Sequence, residues 1–189
     1  MIRDPDFKVS THFKFKEVFK SYEAERLGID NGSFITEDIL ACAVATAENI
    51  LEPVRQWIKR PMTPNSWFRC EELEFLLCSE SFFKKLMRKG VPGVDKNTYR
   101  QYPTLYTLGE QFIAEWKEYY ERKQHPKGMA VDYEIPGLSN QTLFEWSRDN
   151  LRFDQLILEF HRPELGSNSG WVHGSYNSKG PNRGQLLRY

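Results

Sequence analysis

The chain shows no excess of charge of either sign. Its 189 residues contain 26 Lys plus Arg and 26 Asp plus Glu. That balance excludes the basic surplus or stripe with which a general nucleic-acid or polyanion binder holds its partner. No apolar run comes near the about 18 residues that a membrane-spanning helix needs, and the mean hydropathy is −0.63. The opening MIRDPDFKVS lacks the apolar stretch of a signal peptide, so the chain is expected to be made in the cytoplasm without one. Cysteine is scarce. Cys42, Cys70 and Cys78 cannot all pair, and none stands in a CxxC or CxxH pattern, so they are expected to be reduced thiols. There is no internal repeat, low-complexity stretch or linker, and a single domain over 1–189 is expected.

Apolar residues make up 40% and aromatics 14%, enough for a packed core without disulfides. Phe15, Val18, Phe19 and Tyr22 recur at helical spacing, which predicts a helix from Phe15 to Leu27 stopped by Gly28. Asp30, Asn31 and Gly32 form a turn signal. Thr36 is a good N-cap for a second helix, whose stripe of Ile39, Ala43, Val44, Ala47, Ile50, Leu51, Val54 and Ile58 is interrupted by Pro53. A kink there, or a break just before it, is expected.

Thr63 to Arg69 is short, aromatic and bounded by prolines, and reads as a strand. Glu71 to Lys89 reads as a helix burying Leu73, Leu76, Leu77, Phe83 and Leu86. Residues 90–103 read as a loop, and Leu105 to Arg122 as another helix with Leu108, Phe112, Ile113, Trp116 and Tyr119 on one side. Beyond Gln124 the pattern changes. Strands are expected over 128–135, 153–160 and 170–177, with a helix over 139–151 capped by Ser139. Helices first and strands last predict an α+β fold, with N-terminal helices packed on a small antiparallel sheet.

The chemically informative segment is His125-Pro126-Lys127-Gly128-Met129-Ala130-Val131-Asp132. Strand alternation puts Gly128, Ala130 and Asp132 on one face, leaving an open floor beside a carboxylate, with Met129, Val131 and Tyr133 in the core. His125 lies at an odd offset from Asp132, but Pro126 and Gly128 break the regularity and let it turn back to the carboxylate. His and Asp suit a borderline metal such as zinc, whose catalytic sites take three protein ligands and keep one position open. Of the remaining histidines, His173 in the strand candidate Trp171-Val172-His173 is the best third ligand; His12 and His161 read as surface residues. Glu159 closes a strand after three apolar residues, where desolvation raises its proton affinity and suits it to act as the base.

The pattern H-x-x-G-x-A-x-D followed by W-x-H resembles the zinc peptidases of the D-alanyl-D-alanine carboxypeptidase type, the M15 peptidase family, in the compact form common in bacteriophage and bacterial genomes. Further likeness lies in Phe15 to Asp30, in Leu51-Glu52-Pro53-Val54-Arg55, in Ser66-Trp67-Phe68-Arg69 where the family has S-G-Y-R, and in Asn182-Arg183-Gly184-Gln185-Leu186-Leu187. The resemblance implies Zn2+ held by His125, Asp132 and His173, a carboxylate as general base, and Arg69 binding or polarising the substrate. The substrate it implies is a peptidoglycan stem peptide, cut as a D-Ala-D-Ala carboxypeptidase or an L-Ala-D-Glu endopeptidase would cut it.

Three positions depart from the family. Lys123 stands where it has Ser, Gly170 where many members have an acid, and residues 74–122 form a helical insertion that would cover the cleft or dock a partner, on a virion or on a second copy. With no signal peptide, a wall enzyme acts after lysis, holin release or delivery in a virus particle, so a phage-encoded lysis or entry function is expected. The alternative is a non-catalytic structural or assembly protein of a virion that keeps the fold. Neither reading involves nucleic acid or a membrane. The plainer readings of single residues are an Arg69 paired with Glu71 or Glu72, a Glu159 exposed at a strand end, buried thiols at Cys70 and Cys78, and a core role for the aromatics of 105–122.

Overall fold

The computed structural model describes residues 4–189, so only residues 1–3 of the expected 1–189 unit lie outside it. The fold is α+β. The first expected helix splits into α1 (Phe15–Phe19) and α2 (Tyr22–Leu27). Lys20 and Ser21 are extended, and the Ser21 hydroxyl accepts from the Ala24 amide at 3.3 Å, so a capping residue starts a new helix in mid-pattern. Tyr22, counted on the apolar face, is exposed. Gly28 ends α2 in the left-handed conformation at φ 67°, which glycine adopts without the Cβ penalty.

The second helix is capped by Thr36 as expected, with the Ile39 amide 3.3 Å from its Oγ1. It runs as α3 (Glu37–Thr46), a wide π turn over Ala47–Leu51, and α4 (Glu52–Ile58). Pro53 thus falls in the first turn of α4, and the π turn before it accommodates the missing donor and the ring. The expected break before Pro53 takes the form of this π turn, which interrupts the α-helix at Ala47–Leu51.

Residues 63–69 do not form the expected strand. The segment makes one isolated bridge, Ser66 to Asp132, with the Asp132 amide 2.7 Å from the Ser66 carbonyl and the Asn65 amide 2.8 Å from the Asp132 carbonyl. Pro61 and Pro64 lack the amide hydrogens a longer ladder would use. Helix α5 (Glu71–Arg88) forms as expected. It buries Leu73, Phe75, Phe82, Phe83 and Leu86, while Leu77 is exposed. The expected helix over 105–122 shrinks to α6 (Ile113–Tyr120), preceded by single 3-10 turns at Leu105–Thr107 and Glu110–Phe112. Leu108 and Gly109 between those turns are extended, so the apolar periodicity there reflects packing rather than a continuous helix.

The sheet contains β1 (Ala130–Tyr133), β2 (Gln155–Glu159), β3 (Trp171–Ser175) and β4 (Gln185–Arg188), in the order β1-β3-β2-β4. The β1–β3 and β3–β2 pairs are antiparallel, as expected. The fourth strand was not expected, and it runs parallel to β2, so the sheet is mixed. Helix α7 (Asn140–Asn150) follows Ser139, whose side chain makes no cap bond. Asn140 fastens the start of α7 instead, its Nδ2 donating to the carbonyls of Asn168 at 3.1 Å and Gly170 at 2.9 Å.

Two apolar clusters hold the chain. The larger joins the N-terminal helices to the sheet and α7 through Leu40, Ala43, Ile50, Leu51, Val54, Val131, Tyr133, Leu143, Leu156 and Val172. The smaller lies within 75–116 and contains Phe75, Phe82, Phe83, Leu86, Leu108, Phe112 and Trp116. The aromatics of 105–122 therefore divide: Phe112 and Trp116 are core, Tyr119 and Tyr120 are half-buried against it, and Tyr106 is exposed.

Candidate metal centre

A 3-10 turn at His125–Lys127 with Pro126 in its first turn, closed by Gly128 in the left-handed conformation (φ 70°), delivers His125 back toward Asp132 on β1. The odd spacing is undone as the proline and glycine imply. Gly128 does not lie on an open floor, however. A Cβ there would stand 2.6 Å from the Ile39 carbonyl oxygen of α3, and Ala130 is fully buried. The small residues serve close packing of strand against helix. The Gly128 carbonyl is also used, accepting from the Thr46 hydroxyl at 2.9 Å and the Trp67 indole at 3.4 Å.

Register does the rest. Asp132 on β1 faces His173 on β3, and Glu159 on β2 faces Trp171, two residues before His173 on the same face. Asp132 Oδ1 lies 2.9 Å from His173 Nδ1 and 3.3 Å from His125 Nε2. Ligand atoms of the three side chains all fall within 4.8 Å of one another, and all three residues are buried. The other ring nitrogen of His125 is 2.6 Å from the Trp67 carbonyl oxygen. A carbonyl can only accept, so Nδ1 carries the hydrogen. In the neutral ring Nε2 then keeps its lone pair, aimed at the cluster.

Burial, reinforced by the Arg69 charge, pushes His125 toward its neutral form. Burial alone would raise the Asp132 carboxyl, but the Arg69 charge and the hydrogen bond of the His173 imidazole hold it well below the usual carboxylate range. With His125 neutral, Arg69 is the standing counter-charge. Glu159 is shifted the other way: burial and the Asp132 charge raise it, and the Arg69 and Lys123 cations only partly offset them.

Arg69 pairs with neither Glu71 nor Glu72. Its Nη2 donates to Asp132 Oδ2, its Nε donates to Ser66 Oγ at 2.9 Å, and its Nη1 lies 3.6 Å from Glu74 Oε2. Lys123 has its Nζ 3.6 Å from Glu74 Oε1, 3.4 Å from Cys78 Sγ and 4.5 Å from the centre of the Tyr119 ring. Sequence reasoning passed over Glu74. It sits in the first turn of α5 beside Glu71 and Glu72, where acidic residues are ordinary partners of a helix N-terminus. Only its burial sets it apart.

Gly170 has no room for a side chain. It has φ +70°, and a Cβ on it would lie 1.9 Å from the Glu159 carbonyl oxygen, so this backbone admits no side chain at 170. The neighbouring Phe160 is itself left-handed at φ 52°, and its ring lies 5.2 Å from that of Trp171. His12 is bound through Nδ1 to Glu52 at 2.6 Å, and His161 through Nδ1 to the Ser169 carbonyl at 3.0 Å; neither joins the cluster. Cys70 is buried and Cys78 half-buried. Among the described residues no helix is long and apolar enough to cross a membrane. Compared with protein-family models, with the curated proteins and with the solved structures, the chain matches none.

Proposed function

We propose that this chain is a zinc-dependent peptidase that hydrolyses peptide bonds of peptidoglycan stem peptides. The observation that carries the metal part is one buried carboxylate oxygen, Asp132 Oδ1, shared by nitrogens of two imidazoles. The Trp67 carbonyl fixes the tautomer of one of them. Two imidazoles and a carboxylate suit zinc, and three protein ligands leave a position for water or substrate. When bound there, such an ion would supply Lewis-acid polarisation of the scissile carbonyl and lower the pKa of a water molecule.

The chain's own residues divide the remaining work. Glu159, with its raised proton affinity, takes the proton of the attacking water and returns it to the departing amine. Arg69 commits Nη2 to Asp132 and Nε to Ser66, which orients the carboxylate. Its remaining hydrogens supply fixed positive charge for the oxyanion. The peptidoglycan substrate, and with it the phage lysis or entry role, rests on the family resemblance and not on a contact in the site.

Two measurements test the reading. Elemental analysis of full-length protein purified without chelator is expected to find one zinc per chain. Mass spectrometry of defined muropeptides is expected to show loss of a D-Ala or cleavage at L-Ala-D-Glu. Metal-free protein, or zinc-loaded protein that leaves every muropeptide intact, overturns it.

A further inference from the structure

Glu74 and Lys123 lie outside both metal-ligand motifs, yet Glu74 borders the Arg69 guanidinium and Lys123 borders Glu74. Glu74 is only 1% exposed, and its Oε2 has no hydrogen-bond partner. Its two oxygens stand 3.6 Å from Arg69 Nη1 and 3.6 Å from Lys123 Nζ, while Cys78 Sγ donates to Oε1 at 3.2 Å. The guanidinium therefore sits between two buried carboxylates, Asp132 on Nη2 and Glu74 on Nη1. Lys123 competes with it for Glu74. Arg69 and Lys123 thus face the buried Asp132 and Glu74 carboxylates in a pocket where an unpaired charge is costly.

We propose that Glu74, countered by Lys123, is a positioning residue for Arg69. It sets how much of the guanidinium's charge falls on Asp132, and so how strongly the His125–Asp132–His173 cluster holds a cation. Removing Glu74 leaves Arg69 to Asp132 alone and adds net positive charge beside the cluster, and both effects oppose a metal ion. Removing Lys123 has the opposite sign, because Glu74 is then free to draw Arg69 away from Asp132. The consequence for metal binding rests on the function proposed above. The restraint on Arg69 does not.

The test uses the full chain as wild type, Glu74→Gln, Lys123→Gln and the double variant. In chelator-treated protein, the exchange rate of the Arg69 Nε hydrogen is read by 15N NMR; in parallel, zinc affinity is read by competition with a chromogenic chelator. Glu74→Gln is expected to speed the Arg69 exchange and to weaken zinc binding roughly tenfold, at the low end for residues that orient metal ligands. Lys123→Gln should not weaken zinc binding, and the double variant should return to within about threefold of wild type, as paired charge removals do when they act on one another. Unchanged Arg69 exchange in Glu74→Gln, or zinc affinities that fall alike in both single variants, overturns the proposal. If Glu74→Gln alone fails to fold, the double variant against Lys123→Gln reads the same step, the double variant itself carrying no net change of charge. If the wild type binds no zinc, the peptidase reading fails while the Arg69 exchange still decides the positioning role.

Discussion

Asp132 is the residue on which the site converges, touched by His125, His173 and Arg69 and buried to 4% exposure. Asp132→Asn is expected to abolish metal binding in elemental analysis. It should also lower stability by about 3–5 kcal/mol in urea unfolding, the usual consequence of leaving one member of a buried ion pair without its partner. Glu159 predicts a pH effect of definite sign. Its carboxyl is raised above the ordinary value of 4.5, so between that value and its folded value the folded chain binds the proton more tightly than the unfolded chain. Stability of the metal-free protein should therefore fall as pH rises through the window just above 4.5. The difference between wild type and Glu159→Gln in urea midpoints isolates that slope; parallel curves would contradict it. That His125 and Asp132 come together was legible from the H-x-x-G-x-A-x-D spacing because proline and glycine mark where a strand must turn. Glu74 was not, since nothing in a first-turn glutamate distinguishes a solvated one from a buried one.

At the scale of elements, two glycines and one ion pair fix the frame. Gly170 and Gly128 both have positive φ, and a Cβ on either meets backbone oxygen at 1.9 Å or 2.6 Å respectively. Substituting Ala for Gly170 should cost about 3 kcal/mol or more, from left-handed strain and backbone displacement together. Thermal unfolding of Gly170→Ala measures the loss, and a melting temperature equal to wild type would refute it. The C-terminal strand depends on Asp154. Arg183 donates to its carboxylate from Nε at 2.9 Å, as does the Arg183 amide at 3.0 Å, and Gln124, next to His125, does so at 2.8 Å. The Arg183 bonds, against the opposing effect of burial, hold Asp154 below its ordinary 3.8. The clasp is fully present above that value and is lost as pH falls through the lower folded value. Asp154→Asn should speed amide exchange in 185–188 at neutral pH while leaving β1 and β3 protected. The parallel pairing of β4 could not be read beforehand, because Gln185–Arg188 is too short and too exposed to show alternation.

The whole molecule joins a helix-and-sheet core to a second apolar cluster confined to 75–116. Trp116 anchors that cluster through edge contacts with Phe75 and Phe82 and an indole bond of 2.8 Å to Glu71. Trp116→Ala should cost about 3–5 kcal/mol within the cluster. Hydrogen exchange is expected to rise across α5 and α6 first, with the sheet amides following only to the extent that the two clusters unfold together. Because Glu74 and Lys123 flank this segment and Glu74 reaches Arg69, loosening it should also weaken zinc binding, and equal zinc affinity in Trp116→Ala would separate the two.

The amino-acid sequence by itself determined the order of the main helices and of β1, β2 and β3, the helix ends at Gly28 and Thr36, and the types of ligand available, because these follow from local backbone preference and side-chain chemistry. Only tertiary structure decided that 63–69 bridges β1 without becoming a strand, that β4 joins β2 in parallel, that position 170 has no room for an acid, and that Glu74 rather than Glu71 or Glu72 faces Arg69. Each of those depends on which distant backbone or charge lies within a few ångströms, and such distances arise only when the elements pack.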